Sequence, residues 1–147
     1  MRHYIQQASG FFLKADAGLA DESARLATDA SAGVAASAQM YAEVEARLLN
    51  SGKMEGIALR YGFFYGTNTW YCPEGAAADH VRRREMPVIG QGEGVWSFVH
   101  IEDAALASVA ALTAPPVFIM LWMTILLQST AGCQRLRDGL ELHPLPS

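Results

Sequence analysis

The run at residues 57–65, IALRYGFFY, is the feature that most constrains what this chain can fold into. Apart from Arg60 and Gly62 every position is apolar or aromatic, with no alternation between apolar and polar residues. A half-solvated strand alternates, so a strand of this kind belongs in a parallel sheet covered on both faces. Parallel neighbours need crossover connections, and the flanking sequence offers them. Residues 35–49, AASAQMYAEVEARLL, carry Ala36, Met40, Val44 and Leu48 four apart. That spacing predicts a helix with this stripe buried, and Asn50-Ser51-Gly52 predicts a left-handed end to it. Upstream, residues 3–8 are a short β-prone run ending at Ser9-Gly10, and the small, polar, acidic residues 14–34 are expected to be a surface loop. Downstream, 75–86 predicts a helix stopped before Pro87, 87–89 an apolar step, 90–94 a turn and 95–100 another strand. Residues 101–114 predict a further helix with Asp103 in its first turn, where a carboxylate meets the positive helix end. Strands alternating with helices place the chain in the α/β class.

Composition excludes several functions. The chain has 147 residues, of which 51% are hydrophobic and 18% charged, with a net charge of -4. This is a globular composition with no basic footprint, so no nucleic-acid partner is expected. Cys72 and Cys133 lie far apart with no His or Cys at ligand spacing, so two free thiols are expected rather than a metal site or a disulfide. The first residues contain no apolar leader, which leads us to expect a cytoplasmic protein. Residues 117–127, VFIMLWMTILL, form an uncharged apolar run. A membrane span needs about 20 such residues, so no membrane association is expected. The GQGEG segment at 90–94 lacks the spacing of a dinucleotide fingerprint.

Four pieces stand in a telling order: YIQQAS at 4–9, YAEVEARLL at 41–49, IALRYGFFYG at 57–66 and GVWSFVHIEDAALASVAAL at 94–112. Together they resemble the extended short-chain dehydrogenase/reductases of the NAD-dependent epimerase/dehydratase type, over residues 2 to about 114. In that family a strand ends in a catalytic Ser or Thr, and a helix then carries a Tyr-x-x-x-Lys pair. A strand of the form Arg-Pro-x-x-x-Tyr-Gly follows, then a segment like Phe-Val-His-Val-Asp-Asp-Ala opening a helix. Arg60 to Gly66 matches the third piece with Tyr61 in place of the proline, and Phe98 to Ala104 matches the fourth. The resemblance implies a partial Rossmann-type doubly wound sheet with part of the small substrate-binding region, in residues 1–114. It also implies NAD or NADP as cofactor, and a small-molecule substrate bearing a hydroxyl or carbonyl. A homodimer through the helix that holds Tyr41 is a further implication. The family's glycine-rich nucleotide-binding half has no counterpart in this sequence, so the chain is expected to represent the C-terminal part alone.

Candidate site residues follow from the same resemblance. A tyrosinate serves this chemistry as general base or acid, assisted by a lysine ammonium one helical turn away. A Ser hydroxyl holds the substrate oxygen while the nicotinamide exchanges hydride. Ser9 and Tyr41 are the catalytic candidates; otherwise Ser9 is a strand-end hydroxyl and Tyr41 a helix-face aromatic. Two alignments of the helix are open. If Glu45 matches the family's helix glutamate, Ser37 stands at the Tyr position and Tyr41 at the Lys position. If Tyr41 is itself the base, Glu45 stands where the lysine belongs and cannot supply the cation. Either way the Tyr/Lys pair is absent. Tyr61, Phe63 and Phe64 are candidates for the cofactor, and Tyr65, Trp70 and Tyr71 for the substrate, because ligands bind at strand carboxyl ends in such sheets. Phe63, Phe64 and Tyr65 read equally as core. His100 and Asp103 are expected to join strand to helix, and Arg82, Arg83 and Arg84 to be a solvated helix face or a phosphate contact.

Residues 115–147 depart from the family pattern. After Pro115-Pro116 that pattern runs close to Gly-Val-Tyr-Asn-Val-Val-Asp-Asp-Asn-Pro-Ser. With suitable synonymous codons, reading VFIMLWMTILL one nucleotide back yields Val-Tyr-Asn-Val-Val-Asp-Asp-Asn-Pro. We therefore expect the tail from about residue 117 to stem from a frameshift. Resequencing the gene checks this: the alternative frame is expected to encode that continuation, and its absence there defeats the reading.

Overall fold

The computed structural model describes residues 3–14, 20–52, 54–88, 90–91, 95–115, 118–121 and 123–128. In chain order the elements are β1 (His3–Ser9), α1 (Ala32–Leu49), β2 (Glu55–Tyr61), β3 (Phe63–Tyr65), α2 (Ala76–Arg82), β4 (Val95–His100), α3 (Ile101–Ala111), β5 (Phe118–Leu121) and β6 (Met123–Gln128). They fall into two compact units, one running to Tyr61 and resuming from Leu106 to Leu121, the other holding Gly62–Ala105 and β6. The chain is α/β with parallel pairing, as expected from the sequence.

The first unit is a parallel sheet in the order β1-β2-β5. Pairing runs from His3↔Glu55 to Ser9↔Tyr61 on one side and from Ala58↔Phe118 to Tyr61↔Leu121 on the other. Strand β2 is therefore central, and it is buried from Gly56 through Tyr61. Helix α1 crosses over the sheet, with Leu48 packed against Ala8 and Ala58 and with Tyr41 at the margin of that cluster. The approach is close at Gly56, where a Cβ would stand 2.7 Å from the Leu48 carbonyl oxygen.

The buried face of α1 keeps Leu48 of the expected stripe but differs from it elsewhere. Ala38, Glu45 and Leu48 are the buried positions, while Met40 is 52% exposed and Ala36 is exposed. The reason is electrostatic. Glu45, at 3% side-chain exposure, lies against Arg60 at 6%, in a bidentate pair. The Arg60 Nε donates to Glu45 Oε1 and Nη2 to Oε2, both at 2.8 Å. Nη1 donates onward to the Glu22 and Ala24 carbonyls at 3.3 and 3.4 Å. A charged residue thus marks the inward face, and apolar periodicity cannot register it. The expected loop is held further by its own backbone, the Lys14 and Ala27 amides donating to the Arg25 and Phe12 carbonyls. The helix begins at Ala32, three residues before the expected start, and Gly52 at φ +61° supplies the left-handed turn after it.

The second unit is a sheet in the order β3-β4-β6. Strands β3 and β4 run parallel with Phe63↔Phe98 and Tyr65↔His100 in register, and β6 pairs antiparallel to β4. The expected single strand 57–65 is two strands, divided at Gly62 and serving different sheets. A Cβ at Gly62 would lie 2.5 Å from the Ser97 carbonyl oxygen, so only glycine admits this approach. Helix α2 also ends earlier than expected. Arg84 at φ +58° turns left-handed. The Glu85 amide then donates to the His80 carbonyl and the Arg84 amide to that of Val81, a Schellman closure with arginine in the usual glycine seat. Pro87 therefore lies beyond the helix, and the step after it is not a strand: Val88 is 48% exposed. Ile89 and residues 92–94 lie outside the described residues. Helix α3 opens with Glu102 and Asp103 in its first turn, as expected.

The described part of the apolar run forms β5 and β6. Among the described residues no helix is long and apolar enough to cross a membrane. Residues 129–147, including Cys133, lie outside them. Two outcomes are expected in chemical denaturation. Arg60→Ala should cost about 3–5 kcal/mol by stranding a buried carboxylate, whereas Arg84→Gly should gain about 1 kcal/mol by removing the left-handed penalty.

Candidate functional site

Ser9 closes β1 at its carboxyl end and is 6% exposed. Its Oγ accepts a hydrogen bond from the Phe11 amide at 3.2 Å, and the Gly10 amide donates to the Tyr61 carbonyl at 3.0 Å. The hydroxyl thus shapes the turn that leaves the strand. Tyr41 lies about two helical turns before Leu48, half-buried, with its ring stacked on Phe12 at 5.5 Å and 26°. The residue four positions further on, Glu45, is bound to Arg60. The chain contains two lysines, Lys14 and Lys53; Lys14 pairs with Asp29, and Lys53 lies outside the described residues. Ser37, one turn before Tyr41, donates its hydroxyl to the Gly33 carbonyl at 3.2 Å. Tyr61 is buried, its hydroxyl 2.8 Å from Ser108 Oγ on α3. These residues all belong to the first unit.

The second unit brings together most of the remaining candidates. Phe63 and Tyr65 share one face of β3, and Phe64 takes the other, because successive strand residues alternate. Tyr71 meets Phe63 edge-on at 5.1 Å and Phe98 at 5.2 Å. Tyr65 stands edge-on to Phe98 at 6.3 Å and to His100 at 5.0 Å. Trp96 completes the group, 5.7 Å from Phe63 and 6.2 Å from Tyr71. Trp96 and Phe98 were not singled out in the sequence, yet the signal is there: 96, 98 and 100 alternate along β4, and the parallel register lays them beside 63 and 65. Trp70 stands apart, 54% exposed, with its ring stacked on His80.

The polar candidates are structural in their contacts. His100 Nδ1 accepts from the Glu102 amide at 3.4 Å, so it caps the first turn of α3, a strand-to-helix role in keeping with expectation. Arg82 donates to the Pro73 carbonyl at 2.7 Å and to Asp79 at 3.1 Å, and Arg83 pairs with Glu85. Cys72 is buried as a free thiol. Among the described residues no group of three His, Cys, Asp or Glu side chains could hold a metal.

This architecture has clear relatives among solved structures. An NAD-dependent epimerase/dehydratase from Methylobacillus flagellatus superposes with a TM-score of 0.70 at 15% identity, covering 100% of this chain and 51% of that one. The dTDP-glucose 4,6-dehydratase of Bacillus anthracis, in complex with NAD, gives 0.64 at 17% identity over 93% of this chain and 48% of the other. The chain has the fold of the NAD-dependent epimerases and dehydratases. UDP-glucose 4-epimerase from Thermotoga maritima shows the same likeness, at a TM-score of 0.60, 18% identity, and coverage of 93% and 47%. In sequence, a Streptomyces 3-diazoavenalumate denitrifying reductase is 43% identical over 93 residues, which are 63% of this chain and 30% of that protein. The chain therefore spans about half the length of the structures and 30% of the reductase. No family model matches it.

Two substitutions separate packing from chemistry. Phe98→Ala should cost about 3–5 kcal/mol, since Phe98 is 1% exposed at the centre of the aromatic group. Ser9→Ala should cost about 1 kcal/mol through the lost turn bond; thermal melts read both.

Proposed function

We propose that this chain is part of an NAD(P)-dependent epimerase, dehydratase or reductase acting on a small substrate that bears a hydroxyl or carbonyl group. The observation that carries this reading is the fold match across the whole chain, at a TM-score of 0.70 with an NAD-dependent epimerase/dehydratase. The identity of 43% with a denitrifying reductase over 93 residues supports a redox role. In this reading Ser9, at the carboxyl end of a parallel strand, offers its hydroxyl to a substrate oxygen. Tyr61, Phe63 and Phe64 serve the cofactor, and Tyr65, Trp70 and Tyr71 the substrate. The cofactor, NAD or NADP, supplies the hydride chemistry when bound. The chain's own residues orient the substrate and exclude water.

One observation favours a second reading, a non-catalytic nucleotide binder or inactive remnant. The pairing of Glu45 with Arg60 suits the alignment in which Glu45 is a structural glutamate. Ser37 and Tyr41 then occupy the Tyr and Lys positions, and the phenol has no ammonium one turn away. The two readings divide on one experiment. Titrating the full chain into NADH and NADPH while following nicotinamide fluorescence should show saturable binding at micromolar concentration. Flat titrations with both nucleotides overturn nucleotide binding by this chain. Saturable binding without hydride loss to carbonyl substrates selects the non-catalytic reading.

A further inference from the structure

Trp70 is an exposed large aromatic side chain set in a closely hydrogen-bonded turn. It lies in the turn after β3, a parallel strand, at 54% exposure. The backbone around it is fixed on both sides. Thr69 donates to the Gly66 carbonyl through its amide at 3.2 Å and its hydroxyl at 2.8 Å. The Trp70 carbonyl accepts from the Ala77 amide at 3.2 Å, and the next residue, Tyr71, bridges to Tyr65. Gly75 packs so closely that a Cβ there would lie 2.5 Å from the Trp70 oxygen. Against this frame the indole ring stacks on His80 at 6.0 Å and 20°. The imidazole is itself held, with Nδ1 2.8 Å from Glu85 Oε2. The contact with His80 thus favours one ring orientation, which lowers the ordering entropy that stacking on it would cost.

The charges nearby limit what can stack. Arg82 is engaged by Asp79 and the Pro73 carbonyl, and Arg83 by Glu85. In the segment 74–85 the acids Glu74, Asp79 and Glu85 match Arg82, Arg83 and Arg84 in number. A site for a diphosphate gathers uncompensated arginines, whereas Arg82 and Arg83 here are already engaged by neighbouring acids.

We propose that Trp70, backed by His80, is a stacking platform for the planar aromatic ring of a neutral or singly charged substrate, rather than for a nucleoside-diphosphate sugar. The assignment deepens, and rests on, the reading of this unit as the substrate-handling part of the chain. Trp70 acts here as a specificity-determining residue; aromatic stacking of this kind sets affinity several-fold.

The test uses the full chain without cofactor, so its outcome is separate from that of the NADH titrations. The probes are 4-hydroxybenzoate, cyclohexanecarboxylate and UDP-glucose. In protein labelled at the indole nitrogens, the chain's three tryptophans give three side-chain signals, and Trp70→Phe identifies that of Trp70. The Trp70 signal should move with 4-hydroxybenzoate. Affinity measured on the ligand signals should fall about fivefold for cyclohexanecarboxylate and about fivefold for Trp70→Ala, with Trp70→Phe close to the parent. The other two indole signals report whether Trp70→Ala keeps its fold; if it does not, the cyclohexane probe and Trp70→Phe decide. An unmoved Trp70 signal, equal affinity for the aromatic and saturated acids, or tighter binding of UDP-glucose would each overturn the assignment.

Discussion

Arg60 places a full positive charge inside β2, a strand buried from Gly56 through Tyr61, and its surroundings accommodate it. An isolated charge there is untenable, because water cannot reach it and the interior screens poorly. Glu45 answers with both carboxylate oxygens, and the Glu22 and Ala24 carbonyls take up a further guanidinium hydrogen. One side chain therefore ties α1, β2 and the loop before α1 into a single arrangement. Arginine suits the task better than lysine, since its planar fork meets a carboxylate in two parallel bonds. Such a pair adds little net stability compared with well-packed apolar residues; its effect is to fix which face of α1 turns inward.

That fixed rotation also sets the surroundings of Tyr41. With Glu45 committed to Arg60, the position one turn after Tyr41 holds no cation, and the phenol rests on Phe12 in an apolar setting. The second unit has a different organising element, an aromatic group in which Phe98 is central and Phe63, Tyr65, Tyr71 and Trp96 stand mostly edge-on or tilted. Edge-to-face contacts suit rings whose faces are negative and rims positive. Trp70 remains outside this group, exposed and stacked on His80.

Much of the fold could be read from the sequence, because β1, α1, β4 and α3 each carry a local signal: apolar runs, helical spacing, a carboxylate in a first turn. The failures have local causes as well. The boundary between β2 and β3 depends on Gly62 meeting Ser97, a contact between residues far apart in the chain. The early end of α2 depends on Arg84 accepting a left-handed conformation that its residue type disfavours. The inward face of α1 keeps Leu48 of the apolar stripe, but apolar spacing carries no signal for Glu45, whose burial depends on Arg60. Ser9 and the aromatic candidates could be named from sequence as members of a pattern, but not their contacts.

By itself, then, the sequence determined the class and the central strand. A run that is apolar or aromatic at all but two positions is buried between covered faces, and the order of strands and helices around it leaves an α/β sheet as the outcome. Only the tertiary structure decided that this run serves two sheets, that Glu45 rather than Met40 points inward, and that Trp70 stands exposed while Trp96 is packed. Each of these depends on a distant partner: a backbone carbonyl, a guanidinium, a neighbouring strand. Local sequence records what a residue prefers, and the partners that override the preference exist only once the chain has folded.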